Sequence, residues 1–349
     1  MMFAAAAVLL SLTACLLLIV GTDLYLHQRA ERSAGLNLWG YRGPLLGRKA
    51  PQEVRIAFLG GSTMFGYGVS WEQAIPALVE RELNAAAGPV RAANLALNNE
   101  GAYSFLYTLQ DYDYLEPDIV VLYEGYNDLM GDEDGGNVSL LRHESGVFRL
   151  TGYYPILPLV LRERAMLFRY GSLETAYAVE AGARPGGAVF QPGAASRSVA
   201  AAIESANAVG NSVGRQLSRL SPTVSKDVAN RSEAGCAPPW SMYCQSVFRA
   251  VQFALARGRH VAVASQPLAT KIRTQLHTDQ QQAVIDMLAR RFVGEPRVVH
   301  VDLRDAVDLL DTSLSFDEMH LTAAGNGLAA ERMARVLKPV VAAVRASQQ

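Results

Sequence analysis

An excess of charge of one sign is what this chain most plainly lacks: across its 349 residues, 32 Lys and Arg face 33 Asp and Glu. So balanced a chain has no overall field to draw in nucleic acid or an acidic surface, and neither partner is implied. His and Cys nowhere fall at metal-ligand spacing, so no metal centre is expected. No internal repeat stands out, which leaves a stacked-repeat architecture without support. Cysteine is scarce. Of the three residues, Cys15 lies in an apolar run, and Cys236 and Cys244 form a close pair. Their spacing fits a disulfide in an oxidising compartment and two buried free thiols equally well. Apolar residues are not lacking: they make up 50% of the chain, which excludes global disorder and allows one elaborated domain or two.

The N-terminus is a different material from the rest. Residues 3–21 contain no charge and are dominated by Leu, Ala, Val and Ile. At ~1.5 Å per residue a helix of that length crosses most of the ~30 Å hydrocarbon core of a bilayer. We read residues 1–23 as a transmembrane signal-anchor and 24–52 as a linker, with Trp39 and Tyr41 pinning its Gly/Arg/Pro-rich part to the body. A cleaved signal is the alternative, although Met1-Met2 offers no basic start. Leu12-Thr13-Ala14-Cys15 also resembles a lipoprotein cleavage box, but the apolar run continues past it. Arg29, Arg32, Arg42, Arg48 and Lys49 all follow the span, which by the positive-inside rule favours a cytoplasmic body. A Cys236–Cys244 bridge favours the exported side, and the expectation adopted here is an inner-membrane anchor with an exported body.

The body alternates strand-like and helix-like segments. Residues 54–60 form a near-continuous apolar run that ends in Gly60-Gly61-Ser62-Thr63, as a buried parallel strand feeding a tight turn does. Further strands are expected at 90–97, 119–123, 260–265 and 298–303, with helices at 71–87, 103–115, 246–256 and 279–292 and a long last helix to about residue 345. This alternation selects a doubly wound parallel sheet with right-handed crossovers. Regularity lapses over 131–235, which we read as a partly helical insertion folded over the site edge. It would carry a Gly/Pro-rich stretch at 181–192, a helix near 199–220, and His143 as a surface loop residue. The domain boundaries expected are thus 53–345 for the body with the insertion at 131–235.

The first three strands end in small or hydrogen-bonding residues. Ser62 follows the first, Asn98-Asn99-Glu100-Gly101 the second and Gly125-Tyr126-Asn127-Asp128 the third. A parallel sheet gathers these ends on one edge, where ligands bind in open α/β folds. Singly, such turns are ordinary, because Asn, Asp, Ser and Gly dominate turns for backbone reasons. Near the C-terminus, Asp317 precedes His320 by three residues, so in a turned backbone the carboxylate can take the Nδ1 proton and leave Nε2 as a base. A capping carboxylate beside a packed histidine would look the same.

Together these blocks resemble the SGNH, or GDSL-type, hydrolase superfamily. The resemblance covers roughly residues 37–337, outside the insertion. The lead-in Asn37-Leu38-Trp39-Gly40-Tyr41-Arg42-Gly43 is similar to that of membrane-anchored bacterial members. It implies a flavodoxin-like three-layer α/β/α fold with a five-stranded parallel sheet in the order 2-1-3-4-5. It also implies Ser62 as nucleophile, His320 as base and Asp317 as the residue that orients it, with Ser62 and Gly101 backbone N–H groups and the Asn127 amide as oxyanion donors. No cofactor or metal is implied. The partners would be an acyl-ester substrate (a small molecule, lipid or acylated glycan) and the membrane. The first block has Gly-Ser-Thr in place of Asp-Ser-Leu, and the second is longer and more polar than usual. Glu100 and Glu124 would disfavour anionic substrates if they face the pocket. An acyltransferase on the same residues and a non-catalytic scaffold are the alternatives.

Overall fold

The computed structural model describes residues 2–31, 35–123, 125–129, 137–171, 233–268 and 274–348, with a few residues between 198 and 205. The helix expected near 199–220 lies mostly outside these residues, and the Gly/Pro-rich stretch and Glu124 lie wholly outside them. The chain divides into two units. One comprises residues 1–29, 38–40 and 142–224, and the other 30–37, 41–141 and 225–349.

The larger unit holds a five-stranded parallel sheet in the order β2-β1-β3-β4-β5, as expected. Its strands are β1 (Val54–Gly60), β2 (Val90–Asn94), β3 (Ile119–Tyr123), β4 (His260–Ala264) and β5 (Val298–Val301). Every residue of β1 and β3 is buried, which is why both read as continuous apolar runs and not as alternation. The helix expected at 71–87 is a short 3-10 turn at Trp71–Gln73, then α3 (Ile75–Ala87), numbered after α1 (Met2–Glu31) and α2 (Ser62–Phe65). Pro76 lies at its start, where a missing N–H costs nothing. The segment expected as one helix at 103–115 is interrupted: α4 (Phe105–Asp111) lies between 3-10 turns at Ala102–Ser104 and Asp113–Leu115.

Chain direction sets the layers. The step from β1 to β2 runs one way across the sheet and the steps to β3, β4 and β5 run the other, so right-handed crossovers put their helices on opposite faces. α3 packs on the C-terminal helix of the chain (Ala323–Ser347) on one face. On the other, α4 and the helix Thr274–Arg291 both pack on the helix Ser241–Ala256. Leu337, Val340, Val341 and Val344 form part of the buried stripe of the last helix, at the three- and four-residue spacing of an α-helical face. Cys236 and Cys244 are joined by a disulfide, with Cα atoms 6.2 Å apart.

The opposite edge of the sheet carries a charged knot that accounts for an arginine inside an apolar strand. Arg55 is only 3% exposed, and its Nη2 donates to Glu53 Oε1 at 2.7 Å, while its Nη1 donates to the Leu115 carbonyl at 2.9 Å. Asp118 accepts from the Arg55 N–H and from Lys49 Nζ, closing the lower ends of β1 and β3 together.

The smaller unit contains α1, α5 (Gly146–Thr151) and α6 (Leu157–Tyr170), so the first part of the expected insertion is helical where no helix is legible. α1 continues to Glu31, past residue 23, and carries a 24-residue stretch, Ala6–Arg29, long and apolar enough to cross a membrane. Two polar residues near its end are buried. The Asp23 carboxylate accepts from the Tyr153 hydroxyl and the Leu157 N–H, and His27 Nε2 donates to the Tyr154 carbonyl at 2.9 Å. His143, in the turn that leads into α5, is also buried, at 5% exposure, and is not the surface loop residue expected.

The Arg55–Glu53 pair generates a stability prediction. Removing one partner of a buried ion pair leaves the other charge uncompensated, so Arg55→Ala should cost about 3–5 kcal/mol in urea unfolding. A loss below ~1 kcal/mol would show that the pair is solvated in solution and contributes as surface pairs do.

Candidate active site

Ser62 is delivered by a turn that only glycine permits. A Cβ on Gly60 would lie 2.3 Å from the Tyr123 carbonyl oxygen and 2.7 Å from Met64 Cβ, so β1 must end in a residue without a side chain. The chain leaves the sheet at Gly61 and begins α2 at Ser62, and the Ser62 side chain is half-buried.

His320 arrives from the other end of the chain. Its Nε2 is 2.7 Å from Ser62 Oγ, and its Nδ1 is 2.6 Å from Asp317 Oδ2. The backbone between the two is turned, with Glu318 in the left-handed region at φ 66°. Asp317 Oδ1 accepts from the N–H groups of both Met319 and His320, so the carboxylate is fixed by its own loop before it meets the imidazole. Partial burial alone would raise the Asp317 carboxyl, but hydrogen bonds from the His320 ring and from these N–H groups outweigh it and hold it below the usual aspartate range. It therefore stays ionised at neutral pH. An ionised acceptor on Nδ1 puts a proton on that nitrogen and leaves Nε2 to accept from the Ser62 hydroxyl.

The second and third blocks meet each other around Gly101. Asn127 Nδ2 donates to the Glu100 carbonyl at 2.9 Å, and Asp128 Oδ2 accepts from the Ala102 N–H at 2.9 Å. The Glu100 carbonyl and the Gly101 N–H are the two ends of one trans peptide, so holding the first aims the second. An Asn127 amide has two hydrogens, and donation to Glu100 fixes its plane. Asp128 thus links two blocks; it does more than support its own turn. The third block is propped from behind by glutamines: Gln266 Oε1 accepts from the Tyr126 N–H at 2.8 Å, and Gln280 Nε2 donates to the Gly125 carbonyl at 3.0 Å.

Sequence reasoning missed three residues near Ser62. Arg42, read as part of the linker and its lead-in but given no role at the site, is 2% exposed, with Nη1 donating to the carbonyls of Phe65 and Gly66 and Nη2 to that of Val69. Burial lowers its pKa to about 10, partly offset by Glu72, so it remains a cation that ties down the loop after Ser62. The lead-in resemblance is the signal that marks it. Tyr67 and Phe316 flank the imidazole, with ring centroids 4.8 Å and 6.4 Å from that of His320. Both stand in turns, where no periodicity marks an aromatic. Among the described residues, no group of three or more His, Cys, Asp or Glu side chains is placed to hold a metal ion.

Burial raises the Asp128 carboxyl to about 7, opposed by the bond from Ala102. A carboxyl whose folded pKa lies above its unfolded one favours folding when protonated, so its contribution is whole below pH ~4 and is lost as pH rises toward 7. Asp128→Asn keeps an acceptor for Ala102 and cannot ionise. From about pH 4 to about pH 7 the wild type should therefore lose melting temperature relative to this variant. A constant difference across that range would remove the buried ionisation.

No family model matches the sequence, and no curated protein does. Among solved structures the chain is similar to a member of the lipolytic protein G-D-S-L family from Veillonella parvula DSM 2008, at 9% identity, over 81% of this chain and 97% of that one, with a TM-score of 0.42. It is also similar to the Clostridium thermocellum family 3 carbohydrate esterase (11% identity, 84% and 98% covered, TM-score 0.43) and to a psychrotrophic esterase from Pseudoalteromonas sp. (10%, 82% and 97%, 0.43).

Proposed function

We propose that this chain is a membrane-anchored serine esterase of the SGNH type, hydrolysing acyl esters without a cofactor. The observation that carries the reading is the continuous chain of contacts from Asp317 through His320 to Ser62, at 2.6 and 2.7 Å. Ser62 attacks the ester carbonyl as His320 Nε2 takes its proton, and Asp317 stabilises the imidazolium that forms. The oxyanion is held by the N–H groups of Ser62 and Gly101 and by the Asn127 amide. His320 then returns the proton to the departing alcohol, and water repeats the sequence on the acyl-enzyme.

Membrane anchoring through α1 is supported by its length and by the burial of Asp23 and His27 against Tyr153, Tyr154 and Leu157. Cleaving the helix off would strip these groups of their partners. The Cys236–Cys244 bridge supports an exported body.

The test is hydrolysis of p-nitrophenyl acetate and butyrate by the full chain in detergent. Ser62→Ala should fall to background, and Asn127→Ala should lower kcat by ~10²–10³ with KM nearly unchanged, together with a lower melting temperature because the Glu100 carbonyl loses its donor. Undiminished turnover by Ser62→Ala sinks the reading, while normal kcat in Asn127→Ala removes the third donor only. Export has its own check. In protein taken from its native membrane, Cys236 and Cys244 should resist thiol labelling until reductant is added, and labelling without reductant would place the body in a reducing compartment.

A further inference from the structure

Two large aromatic side chains beside His320 stand half in solvent: Tyr67 is 52% exposed and Phe316 46%. Their positions are fixed by the backbone of the very loops that carry the reacting groups. The Tyr67 N–H donates to the Ser62 carbonyl at 2.9 Å, and the Phe316 N–H donates to the His320 carbonyl at 3.1 Å. The Phe316 ring lies directly over Gly68, whose φ is +84°; a Cβ there would come within 2.6 Å of the ring. Gly68 thus leaves room for this ring, and the ring joins the serine loop to the histidine loop.

The chemistry of ester cleavage decides what such rings would touch. As the tetrahedral intermediate collapses, the bond from carbon to the alcohol oxygen breaks, and the proton that His320 Nε2 took from Ser62 Oγ goes to that oxygen. The alcohol therefore departs within hydrogen-bond reach of Nε2, on the imidazole side. The acyl group stays on Ser62. Side chains beside the imidazole are therefore placed toward the alcohol portion of the ester.

We propose that Tyr67 and Phe316 form the subsite for the alcohol portion of the substrate, and that this alcohol presents an uncharged ring. The proposal rests on the esterase reading above. Aromatic faces carry partial negative charge and favour the C–H edges and flat faces of rings over open chains or anions. The carboxylates of Asp317 and Glu318 in the same loop further disfavour an anionic alcohol. Aryl and sugar alcohols both meet this description, and the experiment separates them.

The test compares the full chain with Tyr67→Ala and Phe316→Ala on acetates of three alcohols: ethyl acetate, phenyl acetate and glucose pentaacetate. Because variant is divided by wild type on each substrate, differences in intrinsic reactivity cancel. The ring contacts should be worth roughly 3- to 10-fold in kcat/KM, expressed mainly in KM, on whichever ring alcohol the site takes, with a several-fold smaller loss on ethyl acetate. The ranking of p-nitrophenyl acetate, butyrate and octanoate should not change. Equal losses on all three acetates would mean that the rings only hold the imidazole, and a changed chain-length ranking would mean that they contact the acyl group; either overturns the proposal. Should the alanine variants fail to fold, Tyr67→Leu and Phe316→Leu keep the bulk and remove the aromatic face, with the same two outcomes. Failure here with activity still dependent on Ser62 leaves the esterase reading standing, whereas activity independent of Ser62 removes both.

Discussion

The contact between the end of β1 and the last carbonyl of β3 is the constraint on which the site depends. β1 lies between β2 and β3, and Gly60 pairs in register with Tyr123. Because Gly60 has no side chain, the chain turns out of the sheet directly over that carbonyl, and α2 starts two residues later with Ser62 at its head. A larger residue would push the turn outward and carry Ser62 away from His320. The hydrogen bond between residues 258 positions apart in sequence is thus a consequence of close packing at one backbone position.

From that point the geometry spreads along the edge of the sheet through polar cross-links, not through apolar packing. Asn127 and Asp128 grip the residues on either side of Gly101, glutamines grip Gly125 and Tyr126, and Arg42 grips the loop that follows Ser62. Hydrogen bonds suit this task because they are directional, so each fixes an angle as well as a distance. A buried polar group left unpaired costs more than a pair contributes, so each link also resists loosening. Such an edge is preorganised by the cost of disturbing it.

The two edges of the sheet handle charge differently. At the lower edge Arg55, Glu53, Lys49 and Asp118 neutralise one another in pairs. At the upper edge Arg42 donates through Nη1 and Nη2 to carbonyl oxygens beneath the serine loop, while Asp317 stays ionised beside the imidazole. Asp128, buried and accepting from the Ala102 N–H, is pushed toward the neutral form by desolvation. Three ionisable groups at one edge are therefore set by three different balances of burial and hydrogen bonding.

Much of this was legible in the sequence, because the signals concerned are local. Full burial of β1 and β3 makes them unbroken apolar runs, alternation with helices selects a parallel sheet, and the polar strand ends mark the edge where Ser62, Gly101 and Asn127 belong. The approach of His320 to Asp317 and Ser62 was readable from the Asp317–His320 spacing together with these blocks. The interrupted helix at 103–115, the helices within 142–171 and the burial of His143 were not, since short elements are held by partners distant in sequence and leave little period of their own. Tyr67 and Phe316 were invisible for the same reason, and Arg42 was marked only by the lead-in resemblance. A lone arginine in a Gly-rich stretch and single aromatics in turns acquire meaning only when folding brings Phe65, Gly68 and His320 against them. Sequence alone determined which backbone segments form and in what order they pair, because hydrogen-bond periodicity and burial act over a few residues. Tertiary structure alone decided which side chains surround Ser62, because that depends on close packing between loops that no spacing rule connects.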